Sequence, residues 1–137
     1  MKFRVEFLEN DPQLMILHLD CEFEIQESGK FEWPTNEGMP LLIRNLLEIK
    51  GILRVVCNDR CILNFKKSLA FPWDIILEKI MEKLLLNLDP TGTVEELAPP
   101  LIRLIDKNGY YQLKPSDEKH RLRTFSIVNK KDKGKKG

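Results

Sequence analysis

The parity of residues between Met15 and Ile25 constrains this chain more than any other feature. Odd positions run Met15, Leu17, Leu19, Cys21, Phe23 and Ile25, and even positions run Ile16, His18, Asp20, Glu22, Glu24 and Gln26. Successive side chains of an extended strand point to opposite faces, so one face of this segment is apolar throughout. The pattern predicts one long strand, or two joined by a slight bend near Asp20. Phe3, Val5 and Phe7 alternate with Lys2, Arg4 and Glu6 and predict a half-buried strand before it. Asn10-Asp11-Pro12 between them reads as a turn, so the two strands form a hairpin.

Beyond the turn at Ser28-Gly29-Lys30 and the loop Trp33 to Gly38, the period changes. Leu42, Leu46 and Ile49 fall on one helical stripe, with Ile43 and Leu47 beside them. Pro40 suits a first helical position and Gly51 suits the residue after the end, which predicts a helix from about Pro40 to Lys50. Ile52 to Cys57 and Cys61 to Lys67 are rich in branched residues and flank Asn58-Asp59-Arg60, a second hairpin. Pro72 opens a second helix, with Asp74 in its positive first turn and Ile76, Ile80, Leu84 and Leu88 as its stripe. Asp89-Pro90-Thr91-Gly92 ends it. Val94 to Leu97 and Leu101 to Ile105 read as helical pieces broken by Pro99-Pro100, and Thr124 to Val128 as one late strand.

The order strand, strand, helix, strand, strand, helix predicts an α+β fold. It would be an antiparallel sheet of about four to five strands with two main helices packed on it, plus an irregular C-terminal extension. Residues 1–89 would form the domain, 90–118 a partly helical extension, and 119–137 a basic, flexible tail. With 137 residues the chain is long enough to bury a core, and its 42% hydrophobic and 31% charged residues exclude a disordered or collagen-like chain. The formal net charge of +1 averages two unlike parts. From Lys119 onward eight basic residues face Asp132 alone, while the preceding segment holds fourteen basic and twenty acidic residues.

Three cysteines, Cys21, Cys57 and Cys61, make a poor disulfide framework and point to a reducing compartment. The first residues alternate charged and apolar and contain no signal-like apolar core. A cytoplasmic location with no membrane partner is the expectation.

Cys57 and Cys61 are the sharpest chemical candidates. A three-residue turn would set them opposite each other, where two thiolates can hold a metal or form a redox disulfide. A metal needs about four ligands, and only Cys21, His18 and His120 remain as soft donors, so burial as apolar packing is the simpler reading. His18 has Asp20 nearby to orient it, but no nucleophile is marked. Glu22, Glu24 and Glu27 could suggest a metal or acid–base group, but on a strand Glu22 and Glu24 simply share a solvent face. Trp73 would pack the second helix onto the sheet. No phosphate loop, nucleophile elbow or zinc-helix motif occurs, so no enzyme activity is expected. Lys130, Lys131, Lys133, Lys135 and Lys136 would allow weak, non-specific nucleic-acid binding, but the segment lacks a stacking platform.

Four segments together carry a resemblance. These are Glu9-Asn10-Asp11-Pro12-Gln13-Leu14-Met15-Ile16-Leu17, Met39-Pro40-Leu41-Leu42 with Glu48-Ile49-Lys50-Gly51-Ile52, Asn58-Asp59-Arg60-Cys61-Ile62, and Pro72-Trp73-Asp74. In order and spacing, the chain from Met1 to about Asp89 resembles the N-terminal domain of the Nfu/NifU-type iron–sulfur cluster scaffold family. Met39 stands where that family has a capping serine, and Cys57 and Cys61 replace aromatic residues. The Cys-x-x-Cys pair of the family's cluster-binding domain is absent. The resemblance implies a non-enzymatic accessory or docking domain in iron–sulfur cluster assembly or delivery. It would bind a scaffold or apo target through exposed turn residues such as Asp59 and Arg60, with the cluster carried by the partner. Two alternatives from the residues themselves are a small nucleic-acid module using the basic tail and a small metal or redox protein using Cys57 and Cys61.

Overall fold

A computed structural model describes residues 1–20, 29–59, 61–116 and 119–127 of the chain. Its elements in order are β1 (Lys2–Leu8), β2 (Asp11–Leu19), β3 (Gly29–Glu32), α1 (Leu41–Leu47), β4 (Ile52–Asp59) and β5 (Ile62–Lys67). They continue with α2 (Trp73–Leu88), β6 (Val94–Glu96), β7 (Leu101–Ile105), β8 (Tyr111–Pro115) and β9 (Thr124–Phe125).

One antiparallel ladder runs β3-β4-β5-β2-β1. In it Phe3 faces Leu19, Val5 faces Leu17 and Phe7 faces Met15, so the apolar parities of β1 and β2 fall on one face. The second hairpin, β4 with β5, adds Phe65 and Leu63 to that face through Met15 and Leu17.

The described residues hold nine strands in a mixed sheet, which overturns the expectation of an antiparallel sheet of four to five strands. Of the extra strands, β6, β7 and β8 come from the stretch read as partly helical, and β3 from the segment read as a turn. β6 runs parallel to the first half of β1, pairing Phe3 with Glu96. β7 runs parallel to its second half, pairing Leu8 with Arg103. Short apolar runs do not distinguish strand from helix by period, and the competing force here is the open edge of β1. Its peptide groups need partners. Leu97 N–H donates to Phe3 O at 2.8 Å, and Glu9 N–H donates to Arg103 O at 3.2 Å. Pro99-Pro100, which forbids a continuous helix, lies in the break between these two short strands. β8 and β9 then extend the sheet antiparallel to β7 and β6.

Both helices cover the face carrying Phe3, Val5, Met15, Leu17, Leu63 and Phe65. Ile43, Leu46 and Leu47 of α1 and the stripe Ile76, Ile80, Leu84 of α2 join those residues in one buried cluster. Each such side chain contributes about 1.5–3 kcal/mol on burial. The α2 stripe matches the sequence reading, except that Leu88 is exposed. Pro72 and Pro40 occupy the N-cap positions, and neither helix has a side-chain cap. α1 is shorter than its periodicity suggests, since it ends at Leu47. Gly51 has φ +102°, and a Cβ there would lie 2.8 Å from Phe71 Cδ2, so the chain reverses behind α1 only with glycine.

β2 stops at Leu19. The predicted continuation through Cys21, Phe23 and Ile25, with Glu22, Glu24 and Glu27, lies outside the described residues.

Candidate functional site

Two buried glutamates organise the polar chemistry of the sheet, and each holds one of the two histidines and one arginine. Glu6 alternates with Val5 and Phe7 and faces away from the helices, where β1 alone would leave it in water. It is nevertheless only 1% exposed. The parallel pairing of β7 places Arg103 on the same face, and Arg103 Nη2 lies 2.6 Å from Glu6 Oε2. His18 stands directly across from Arg4 and diagonally to Glu6. Its Nε2 is 2.9 Å from Glu6 Oε1 without the alignment of a full hydrogen bond. Burial and then the Arg4 charge push the His18 pKa down, Glu6 pulls against them, and Arg103 adds to the lowering. The imidazole is therefore neutral at neutral pH.

Glu96 pairs with Phe3 in the parallel ladder and so lies on the helix side of the sheet. Its Oε1 accepts from Arg123 N at 3.0 Å and Arg123 Nε at 3.1 Å, and contacts His120 Nε2 at 2.6 Å. Its Oε2 accepts from Arg123 Nη2 at 2.8 Å. Arg123 Nη1 also reaches Asp74 Oδ1, at 3.4 Å, in the first turn of α2. Burial pushes the Glu96 pKa up, but the hydrogen bonds from Arg123 and His120 outweigh it and hold the carboxyl below its ordinary range. The fork of Arg123 on a carboxylate is a strong, directional pair.

Each carboxylate is thus occupied by cationic or imidazole partners, an arrangement that fixes strands rather than one that activates a reactant. Among the described residues, neither imidazole is hydrogen-bonded to a serine, threonine or cysteine. No group of three or more His, Cys, Asp or Glu among them is placed to hold a metal.

The sequence candidates fall elsewhere. Cys57 is 2% exposed within the core cluster, and Cys61 is half-buried; neither forms a disulfide. They are not opposite each other. Cys57 faces Leu63, and an irregularity between Cys57 and Asp59 shifts the register so that Asp59 faces Ile62. Asp59 is the last residue of β4. Arg60 and Lys130, Lys131, Lys133, Lys135 and Lys136 lie outside the described residues. Asp20 does not orient His18; its Oδ1 accepts the Lys2 N–H at 2.8 Å. The segment read as the start of a basic tail packs on the sheet. His120 and Arg123 close on Glu96, and Phe125 and Ile127 lie against the core.

Trp73 does pin the start of α2 to the sheet. Its Nε1 donates to Pro12 O at 2.9 Å, its ring meets Phe7 at 6.1 Å between centroids, and Lys67 Nζ lies 5.3 Å from the ring centroid. Sequence reading missed both glutamate clusters. The one available signal was that His120 lies three residues from Arg123, which acquires meaning only once β6 is placed beside β1.

No protein-family description matches the chain, and no curated protein matches it. Among solved structures, the crystal structure of protein SAV1430 from Staphylococcus aureus is 18% identical, covering 61% of this chain and 99% of that one at a TM-score of 0.49. The solution structure of SeR13 from Staphylococcus epidermidis is 17% identical, covering 61% and 93% at a TM-score of 0.44.

Proposed function

We propose that this chain is a non-enzymatic docking domain acting in iron–sulfur cluster assembly or delivery, with the cluster ligated by a partner. The observation that carries the reading is the hydrogen bond from Trp73 Nε1 to Pro12 O. It joins two of the four segments on which the Nfu/NifU resemblance rests, sixty-one residues apart in the chain. The other two also sit at chain reversals: Pro40 caps α1 and Gly51 turns the chain at positive φ, while Asp59 closes β4. The resembling residues thus have shared architectural roles, which supports reading them as one motif. The two buried glutamates are committed to arginine and histidine, consistent with a framework that presents a surface.

The test is anaerobic gel filtration of the full chain mixed with a cluster-loaded iron–sulfur scaffold. Co-elution is expected, with the visible cluster absorbance scaling with scaffold alone and unchanged by Cys57→Ala or Cys61→Ala. Failure to co-elute with scaffold or apo acceptor overturns the proposal. A cluster held by this chain alone overturns it in favour of a metal protein.

A further inference from the structure

The sheet face opposite the helices has an order of its own. Strand parity places Leu14 and Ile16 of β2, Ile62 and Asn64 of β5 and Val56 of β4 on it, all half-buried. The cross-strand row Ile16–Asn64–Val56 forms its middle. On one side of this row Lys66 faces Arg54 across β5 and β4. On the other side Arg4 stands beside His18 and Ile62 in a row that continues to Asp59. Lys66 and Ile62 are four residues apart on one strand, so the two outer rows are separated by about 13 Å. An α-helix with its side chains is about 10–12 Å across.

Cations are in excess on this face, although Glu32 faces Arg54 across β3 and β4 and Glu95 faces Lys2 across β6 and β1. Lys30 is paired with Glu32, and Arg103 with Glu6. Lys2, Arg4, Arg54 and Lys66 make no ion pair among the described residues. Both helices lie on the other side, and a sheet with helices on one face leaves the opposite face open to a further layer. On β1, β2, β4 and β5 this face carries no Phe, Tyr or Trp, so it lacks the rings on which single-stranded nucleic acid stacks. An aliphatic strip flanked by cations is complementary to an apolar stripe flanked by carboxylates.

We propose that the helix-free face of the sheet, centred on Ile16 and Val56 and flanked by Arg4, Arg54 and Lys66, docks an acidic amphipathic helix of a partner protein. The proposal rests on the docking reading above and adds the surface and the chemistry of the partner. Arg54 and Lys66 take carboxylates on one flank and Arg4 takes them on the other. Ile16 and Val56, on either side of Asn64, are then removed from water, and opposite charge at the rim speeds encounter.

The test uses fluorescence anisotropy with the full chain and three labelled probes at low and physiological salt. These are a Leu/Glu amphipathic peptide of about two heptads, its Leu/Lys counterpart, and poly(U) RNA. The Leu/Glu peptide is expected to bind, with affinity falling at least about tenfold in Arg54→Glu/Lys66→Glu and remaining unchanged in Lys79→Glu, on the exposed side of α2. Arg54→Gln/Lys66→Gln, which removes charge without adding repulsion, is expected to weaken binding less and provides the reading if the reversal variant melts early. No binding of the Leu/Glu peptide overturns the proposal. So does equal binding by the reversal variant, or tighter binding of poly(U) at the same residues. Scaffold co-elution that survives in Arg54→Glu/Lys66→Glu removes this surface and leaves the docking reading standing. Peptide binding without any scaffold co-elution does the reverse.

Discussion

Glu6 Oε2 and Arg103 Nη2 lie 2.6 Å apart, although ninety-seven positions separate them. The contact ties β7 to β1 on the side of the sheet that the helices do not cover. Because Glu6 is almost fully buried, losing the arginine leaves a carboxylate out of water with only a misaligned imidazole beside it. Arg103→Ala is expected to cost about 3 kcal/mol. Glu6→Leu/Arg103→Met, which removes both charges and keeps the volume, is expected to recover most of that loss. Urea unfolding of the three variants measures both values.

Two groups make the fold sensitive to acid, and they act in the same direction. The His18 pKa is lowered in the folded chain, so the unfolded chain takes up a proton first as pH falls below the ordinary value of 6.5. Stability from this group is complete above that value and declines as pH drops toward the folded pKa. The Glu96 pKa is also lowered, so its contribution is complete above 4.5 and is lost as pH falls below that. The expected profile falls in two steps on acidification. His18→Gln removes the upper step and Glu96→Gln the lower, as read from urea midpoints across pH.

Trp73 is half-buried, so its truncation costs less than that of a core tryptophan. Trp73→Ala is expected to destabilise by about 2–3 kcal/mol through lost contact with Phe7 and Lys67 and the freed Pro12 carbonyl. Trp73→Phe keeps a ring and loses the hydrogen bond, at about 1 kcal/mol. Thermal or urea melts of the pair separate the two parts.

The strands from Lys2 to Leu8 and from Asp11 to Leu19 are legible because a two-residue period survives whatever packs on them. The α2 stripe is legible for the equivalent reason at a period of 3.6. β6 and β7 are not, because five apolar residues or fewer fit either period and their partner, β1, lies some ninety residues away. The burial of Glu6 was hidden by the same gap. An alternating polar residue signals solvent until a distant strand brings Arg103 over it. Glu96 was hidden likewise, since it depends on His120 and Arg123 from a segment whose composition reads as solvated.

The two hairpin cysteines differ in reach. Cys57→Ser places a hydroxyl in the apolar core cluster and is expected to cost about 1–3 kcal/mol. Cys61→Ser, at a half-buried position, is expected to change stability by about 0.5 kcal/mol or less. In a Cys21→Ser background, a thiol reagent should modify Cys61 in the folded protein and Cys57 only on unfolding. Mass spectrometry of the labelled protein over time checks the order.

The most direct measurement is an anaerobic affinity purification of the tagged full chain, wild type beside Arg54→Glu/Lys66→Glu, with recovered iron–sulfur scaffold and apo acceptor proteins quantified against a tag-only control. If the chain docks through the helix-free face, the wild type enriches such proteins and the variant, melting at the same temperature, loses at least about nine-tenths of that recovery. A wild-type chain that enriches no iron–sulfur component contradicts the functional proposal.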